Sequence, residues 1–253
     1  MRVTFLGTGT SHGVPVIACS CEVCNSIDYR DKRLRTSVLI EGHGINLVID
    51  SGPDFRQQML RERIIQLDAL LLTHEHKDHV AGMDDIRAFN FTQKKEMPIY
   101  ARKEVIDRLK VEFPYVFEEA KYPGVPRVEV HQIDHQEFKI KDLNIIPIEV
   151  MHYQLSVLGF RIENFTYITD ANHISEPEKD KIKGTQVLVL NALQQDKHIS
   201  HFNLQEAVNL IEELAPEQAY ITHISHRLGS HRDVTATLPD HISLAYDGLR
   251  IEI

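Results

Sequence analysis

Apolar residues along this chain alternate with period two in many short runs and follow a helical period in only a few, which predicts a protein built around strands. Residues 2–6 alternate as a first strand, and residues 36–40 and 45–49 read as a pair joined across the hairpin signal Glu41-Gly42-His43-Gly44. The run 67–72 is almost continuously apolar, as expected of a strand buried on both faces. Further strands are predicted at 128–133, 137–140, 143–150, 156–162, 165–169, 187–190 and 218–222. Helical spacing covers 55–63, 80–91, 102–111 and 203–214; the last places Leu204, Ala207, Val208, Ile211 and Leu214 on one face and stops at Ala215-Pro216. Pro114, Pro123, Gly124 and Pro126 break any regular pattern over 113–127, so a long loop is expected there, serving as a lid, a dimer contact or plain surface.

The strand at 67–72 runs straight into Thr73-His74-Glu75-His76-Lys77-Asp78-His79. Alternation puts His74 and His76 on one side of the backbone, while Asp78 and His79 fall where a helical pattern begins. Imidazole nitrogens and a carboxylate oxygen suit Zn, Mn or Fe, and the absence of thiolates from this stretch argues against a sulfur-ligated site. A solvated His-rich turn would use similar residues, but not directly behind a buried strand with more such residues downstream. His152 and Asp170 also follow predicted strands, where a lone His or Asp is more often structural than a ligand. Of the 15 histidines, eight fall in four places: 74, 76 and 79; 152; 198 and 201; 223 and 226. Most of the other seven, including His43, His131, His135 and His241, are expected at the surface, and His12 is unassigned. Asp50 is expected to accept a hydrogen bond from a ligand imidazole. Asp54 has the position of a helix cap.

Two other motifs need weighing. Gly7-Thr8-Gly9-Thr10-Ser11-His12-Gly13 looks like a dinucleotide loop, but His12 stands where the third glycine belongs and no helix pattern follows. A turn bringing backbone close to the metal pocket is the better reading. Cys19, Cys21 and Cys24 form a tight, odd-numbered trio that suggests metal binding before disulfides, with reduced structural thiols as the alternative. Tetrahedral zinc needs a fourth ligand from elsewhere.

At 253 residues the chain is long enough for one large domain, and no clean boundary divides it. The formal net charge of −9 weighs against long nucleic acid as a substrate, though not against a small phosphate ester held by local cations. No apolar run is long enough to span a membrane, and residues 1–7 turn into the glycine loop before a signal core can form, so the cytoplasm is the expected location.

The string Thr73-His74-x-His76-x-Asp78-His79 behind an apolar strand resembles the metal-binding signature of the metallo-β-lactamase superfamily. Asp50-Ser51-Gly52-Pro53-Asp54 upstream and Gly82-Met83-Asp84-Asp85 downstream are similar to its PhnP-like branch of phosphoribosyl cyclic phosphodiesterases, and the likeness runs from the Gly7 loop to Arg227. The resemblance implies an α/β fold, a four-layer αββα sandwich of two mixed sheets, as one domain over residues 1–253. It implies one divalent ion on His74, His76 and His152, a second on Asp78, His79 and His223, and Asp170 bridging them, with Mn, Zn or Fe as the metal. It also implies a separate structural zinc on Cys19, Cys21, Cys24 and His226. His201 is expected as the general acid, a helix cap or surface role being the alternative, and Asp78 is expected to share in the chemistry. The implied activity is hydrolysis of a small, cyclic phosphodiester by two-metal activation of water, in a homodimer without nucleic-acid or membrane partners. A tRNA 3′-processing nuclease of the same superfamily is the alternative, but it would need a long arm or basic tract that the sequence lacks. Thioester or lactone hydrolysis ranks third, because those relatives lack the cysteine trio.

Overall fold

In the computed structural model, which describes residues 1–118 and 122–253, the strands assemble into two seven-stranded sheets. The first holds β1 (Arg2–Gly7), β2 (Ser37–Gly42), β3 (Ile45–Ile49), β4 (Ala69–Leu71), β5 (Met97–Ala101) and β6 (Val128–Gln132). The second holds β7 (Phe138–Ile140), β8 (Leu143–His152), β9 (Leu155–Ile162), β10 (Phe165–Tyr167), β11 (Val187–Asn191), β12 (Gln218–Thr222) and β13 (Ile242–Leu244), and β14 (Arg250–Glu252) returns to the first beside β1. Both sheets are mixed. Antiparallel pairing joins β14, β1, β2 and β3 and then β7 to β10, while β3 to β6 and β10 to β13 run parallel.

Strand alternation explains the layering. Val38, Ile40, Leu47, Ile49 and Leu71 point into the space between the sheets, where they meet Ile145, Leu158, Phe160, Phe165 and Val189. Their neighbours Leu39, Val48, Leu70 and Leu72 point the other way, onto Phe55, Met59, Met83, Phe89, Val105 and Leu109 of the helices. Leu188, Leu190 and Ile221 cover the outer face of the second sheet together with Ile182, Ala207, Ile211 and Leu214. Three apolar interfaces therefore separate four layers, helix, sheet, sheet and helix. The β2–β3 turn is the expected hairpin, with His43 at φ 49° and Gly44 at φ 69°, both in the left-handed region that such turns require.

Several expectations are corrected. The single helix expected at 80–91 is three pieces, Lys77–Val80, a 3-10 turn at Met83–Ile86, and Arg87–Gln93. The break has a cause: the Gly82 N–H donates to the Ser51 carbonyl (2.8 Å) instead of continuing a helix, and a Cβ at Gly82 would lie 2.1 Å from the Gly52 oxygen. Asp54 makes no cap bond; it accepts from the Arg35 backbone N–H (2.8 Å) and pairs with the Arg35 guanidinium (3.1 Å). The 113–127 stretch opens with a short helix, Pro114–Phe117, and residues 119–121 of the suggested lid or contact loop lie outside the described residues. The strands β5, β13 and β14 and the helix Glu176–Ile182 were not foreseen. In β5, Pro98 sits where the strand pairs with β6 alone, and pairing with β4 starts only at Ile99, so the missing N–H costs the sheet nothing.

Candidate metal centres

The seven residues expected to hold the two ions are all carried at or just past the C-terminal end of a strand. His74, His76, Asp78 and His79 follow β4, His152 ends β8, Asp170 follows β10, and His223 follows β12. That edge is where open α/β sheets present their loops to ligands. Asp50, Asp170 and His223 all have left-handed backbone, at φ 65°, 54° and 55°, costly for non-glycine residues and kept where surrounding bonds enforce it. Asn191, fully buried at the end of β11, supplies one such enforcement: its Oδ1 accepts from the Ala171 N–H (2.8 Å) and its Nδ2 donates to the Ala171 carbonyl (3.0 Å), pinning the residue after Asp170.

Asp50 organises the histidine loop from beneath. Its Oδ1 accepts from the Thr73 N–H (2.9 Å), and its Oδ2 accepts from the Thr73 hydroxyl (2.9 Å) and from His79 Nδ1–H (2.6 Å). With its proton committed to Asp50, the Thr73 oxygen accepts from His74 Nδ1–H (2.9 Å). Both rings therefore turn a bare Nε2 away from Asp50, the tautomer that metal ligation requires. Ser51 and Gly52 hold the loop at backbone level: Ser51 N–H donates to the His79 carbonyl (2.8 Å), and any Cβ on Gly52 would sit 2.0 Å from the Asp78 oxygen.

Around these nitrogens the remaining donors converge. His79 Nε2 is buried without a hydrogen bond and lies 3.2 Å from Asp78 Oδ2 and 3.2 Å from Asp170 Oδ2. His223 Nδ1 is also 3.2 Å from Asp170 Oδ2. His74 Nε2 stands 3.0 Å from His76 Nδ1, and the His76 and His152 rings are 5.2 Å apart. The His152 Nδ1–H donates to the Ser200 carbonyl (2.8 Å), so its Nε2 is bare as well. His201 lies at the junction. Its Nε2 is 3.0 Å from Asp170 Oδ1 and its ring centroid 4.5 Å from that of His152. Asp170 thus presents Oδ2 to His79 and His223 and Oδ1 to His201, and the ligand atoms of Asp78, His79, Asp170 and His223, like those of His152, Asp170 and His201, lie mutually within 4.8 Å.

Electrostatics fit a cation. Burial lowers His74 and His152, and it brings His223 down to about 4 despite Asp170, so all three rings are neutral and offer lone pairs near neutral pH. Burial also opposes a charge on His79, yet Asp170, Asp78 and Asp50 together push its pKa well above the ordinary value. Burial works against ionised Asp78 and Asp170 too, but the imidazoles His79 and His223 hold both below the usual carboxylate range. An orphaned nitrogen among carboxylates that demand positive charge is what a divalent ion satisfies, so the donor set fits metal.

The cysteine trio forms a second cluster. Cys19, Cys21 and Cys24 sulfurs lie 3.3, 3.4 and 3.5 Å from His226 Nδ1. The Cys24 N–H donates to Cys21 Sγ (3.4 Å), and this bond helps lower the Cys21 thiol to about 6, whereas burial raises Cys24 to about 11. Four donors on one centre are the set a closed zinc site needs.

Sequence reasoning missed the threonines. Thr73, Thr169 and Thr222 are buried and each directly precedes a donor, and Thr169 Oγ1 donates to Asp170 Oδ2 (2.7 Å). The repeated Thr-His or Thr-Asp at strand ends was the available signal. His231, grouped with the surface histidines, is instead buried beside Arg33, with its N–H donating to Asp31 Oδ1 (2.7 Å). The glycine loop pairs with the segment after His223, Thr10 N–H donating to the Ile224 carbonyl (3.1 Å) and Ile224 N–H to the Thr8 carbonyl (2.8 Å).

The beta-lactamase superfamily domain matches residues 45–224, and with the donor set above it shows that the chain belongs to the metallo-β-lactamase superfamily. A solved diphosphatase of the PhnP family is 37% identical, with TM-score 0.94 over 100% of this chain and 97% of that one, which makes the protein a PhnP-like member. An octanoyltransferase of Porphyromonas gingivalis is 39% identical over 98% of the chain, and the chain spans about half, 51%, of its length. A ribonuclease Z of Methanopyrus kandleri is 22% identical over 87% of this chain and 92% of its own.

Proposed function

We propose that the protein is a metal-dependent phosphoester hydrolase acting on a small, cyclic phosphodiester through two divalent ions, one on His74, His76 and His152 and the other on Asp78, His79 and His223. The observation that carries this reading is Asp170, which belongs both to the group of Asp78, His79 and His223 and to that of His152, as a carboxylate between two ions would. Mn, Zn or Fe suits such nitrogen and oxygen ligands, and Zn suits the Cys19, Cys21, Cys24 and His226 set. Ions bound beside Asp170 would polarise a phosphoryl oxygen and supply hydroxide near neutral pH.

The chain's own residues orient the ester and move the proton. His201 gives a proton from Nε2 to the departing oxygen, and Ser200 Oγ (3.0 Å from Nδ1) and Asp170 Oδ1 fix its ring plane. Asp78 stays ionised, as a carboxylate that helps hold a divalent ion must. Kinship to a protein described as a diphosphatase supports phosphorus as the electrophile. The octanoyltransferase name belongs to a protein about twice as long, whose remaining half has no counterpart in this chain. The chain's net charge of −9 favours a small ester over the RNA that ribonuclease Z kinship would suggest. Homodimer assembly and a cytoplasmic location belong to the same proposal; among the described residues no helix is long and apolar enough to cross a membrane.

Assay of the purified, metal-loaded protein against cyclic ribose phosphates, cyclic nucleotides, aryl phosphodiesters, diphosphates and tRNA precursors tests this. Turnover of small diesters is expected; cleavage of tRNA precursors alone would select the nuclease reading. Should Asp170→Ala keep two ions and full activity, the bridging assignment is wrong.

A further inference from the structure

His201 and His152 sit at the ends of segments that are otherwise exposed. Residues 195–199, just before His201, all face solvent, and Tyr153, directly after His152, is exposed and holds left-handed backbone at φ 58° in the β8–β9 turn. Asn172 stands between the two, a few atoms past Asp170 along the chain. Its Oδ1 accepts from the Tyr153 N–H (2.9 Å), and its Nδ2 donates to the Ile199 carbonyl (2.9 Å). Its own N–H donates to the Met151 carbonyl (2.8 Å), and the Met151 N–H donates to the His173 carbonyl (2.9 Å), so the backbone beneath the amide is itself tied to the end of β8. The two partners settle which way the amide points, since the reversed orientation would set donor against donor and acceptor against acceptor.

One side chain therefore joins three segments, and each carries a group of the site close by: Asp170 on its own segment, His152 beside Tyr153, and His201 just past Ile199. Without the amide, His198 and Ile199 keep no hydrogen bond outside their own loop among the described residues. A proton donor depends on placement, and a shift of about 1 Å can cost about 10²-fold in rate. We infer that Asn172 is a positioning residue whose amide locks the loop of the acid His201 to the turn of the ligand His152, and so fixes where His201 stands relative to the metal centre. This deepens the hydrolase reading and rests on it. The residue type follows from the partners: an N–H and a carbonyl are satisfied together by a neutral amide, whereas an ionised carboxylate would accept from Tyr153 and repel the Ile199 oxygen.

The test uses metal-loaded Asn172→Ala and Asn172→Asp with two substrates: 2′,3′-cyclic AMP, whose departing ribose alkoxide needs a proton, and bis(p-nitrophenyl) phosphate, whose nitrophenolate does not. In both variants kcat for 2′,3′-cyclic AMP should fall about 10- to 100-fold with KM little changed, and kcat for bis(p-nitrophenyl) phosphate should fall far less. Asn172→Asp still accepts from the Tyr153 N–H, so it should keep the wild-type metal content and melting temperature while the amides of His198 to Phe202 exchange faster. Equal losses on both substrates, loss of metal in Asn172→Asp, or wild-type kinetics in both variants would each overturn the role and leave the hydrolase reading in place. A wild type inactive on both esters defeats the hydrolase reading instead, and the exchange measurement then decides Asn172 alone: unchanged protection over 198–202 overturns its hold on the loop, and faster exchange supports it.

Discussion

Asp50→Asn would probe how the fold sets two imidazole tautomers at once. The wild-type carboxylate accepts three hydrogen bonds in a fully buried position, one on Oδ1 from the Thr73 N–H and two on Oδ2 from the Thr73 hydroxyl and His79 Nδ1–H. An amide of the same shape must point its NH₂ at one of these places. At the Oδ1 place it opposes the Thr73 N–H, donor against donor, which costs about 1–3 kcal/mol. At the Oδ2 place it forces the His79 proton from Nδ1 to Nε2 and reverses the Thr73 hydroxyl, which then competes with His74 Nδ1–H. The second arrangement spares the fold but removes the lone pair that His79 aims between Asp78 and Asp170. Loss of such an outer partner typically lowers metal affinity about 10- to 100-fold, equivalent to about 1.4–2.8 kcal/mol. The assay is competition with a chelator, read as metal retained per chain, alongside thermal melting of the stripped protein. Either a drop in affinity within that range or a loss of stability of the stripped protein is expected. Wild-type values in both would falsify the tautomer argument.

Other outcomes follow from the same geometry. His201→Ala should lower kcat roughly 10²- to 10⁴-fold for alkoxide leaving groups and less for nitrophenolate, which departs without a proton; equal losses would leave His201 a binding residue only. Cys21→Ser should reduce zinc per chain and lower the melting temperature more than it lowers turnover by the folded fraction, and a variant with unchanged zinc and melting would rule out the Cys19, Cys21, Cys24 and His226 site. His231 is lowered to about 4 by burial and the nearby Arg33 cation. Between its unfolded value near 6.5 and 4, the unfolded chain takes a proton that the buried native ring refuses, so stability falls as the pH falls through that window, by an amount on the order of 1–3 kcal/mol. Asp247, raised to about 6 by burial, acts in the opposite sense between pH 6 and 4. The quantity to measure is therefore the difference in urea midpoints at pH 7 and pH 5 between wild type and His231→Gln, which should show the smaller pH dependence.

Much of this was legible in the chain because strands and donors obey local rules. The period of two located β1 to β3 and the long pair β8 and β9, and the apolar run before Thr73 located the histidine loop. What stayed hidden depends on contacts distant in sequence. Gly82 looks like an ordinary helix residue until Gly52 is seen against it. Pro98 discourages a strand assignment until pairing shows that its nitrogen faces no partner on β4. Asp54 has the sequence of a cap and the structure of an Arg35 partner. Burial of His231 follows from Arg33 and Asp31, some 200 residues earlier, and no local pattern carries that information.

The donors are also divided between the two sheets: His74, His76, Asp78 and His79 hang from the first, and His152, Asp170 and His223 from the second. Ions at that edge would act as a clasp on two covers that otherwise meet through apolar contact and a few hydrogen bonds, such as Thr36 to Thr222 (3.0 Å), and the cysteine cluster, joining the segment after β1 to the one after β12, would be a second clasp beside it. Chelation would then unfasten the covers along that edge, so amides of Thr73 to Val80 and of His223 to Leu228 should lose hydrogen-exchange protection together, far in sequence but in step, while Leu47 and Phe160 in the middle of the sandwich keep theirs.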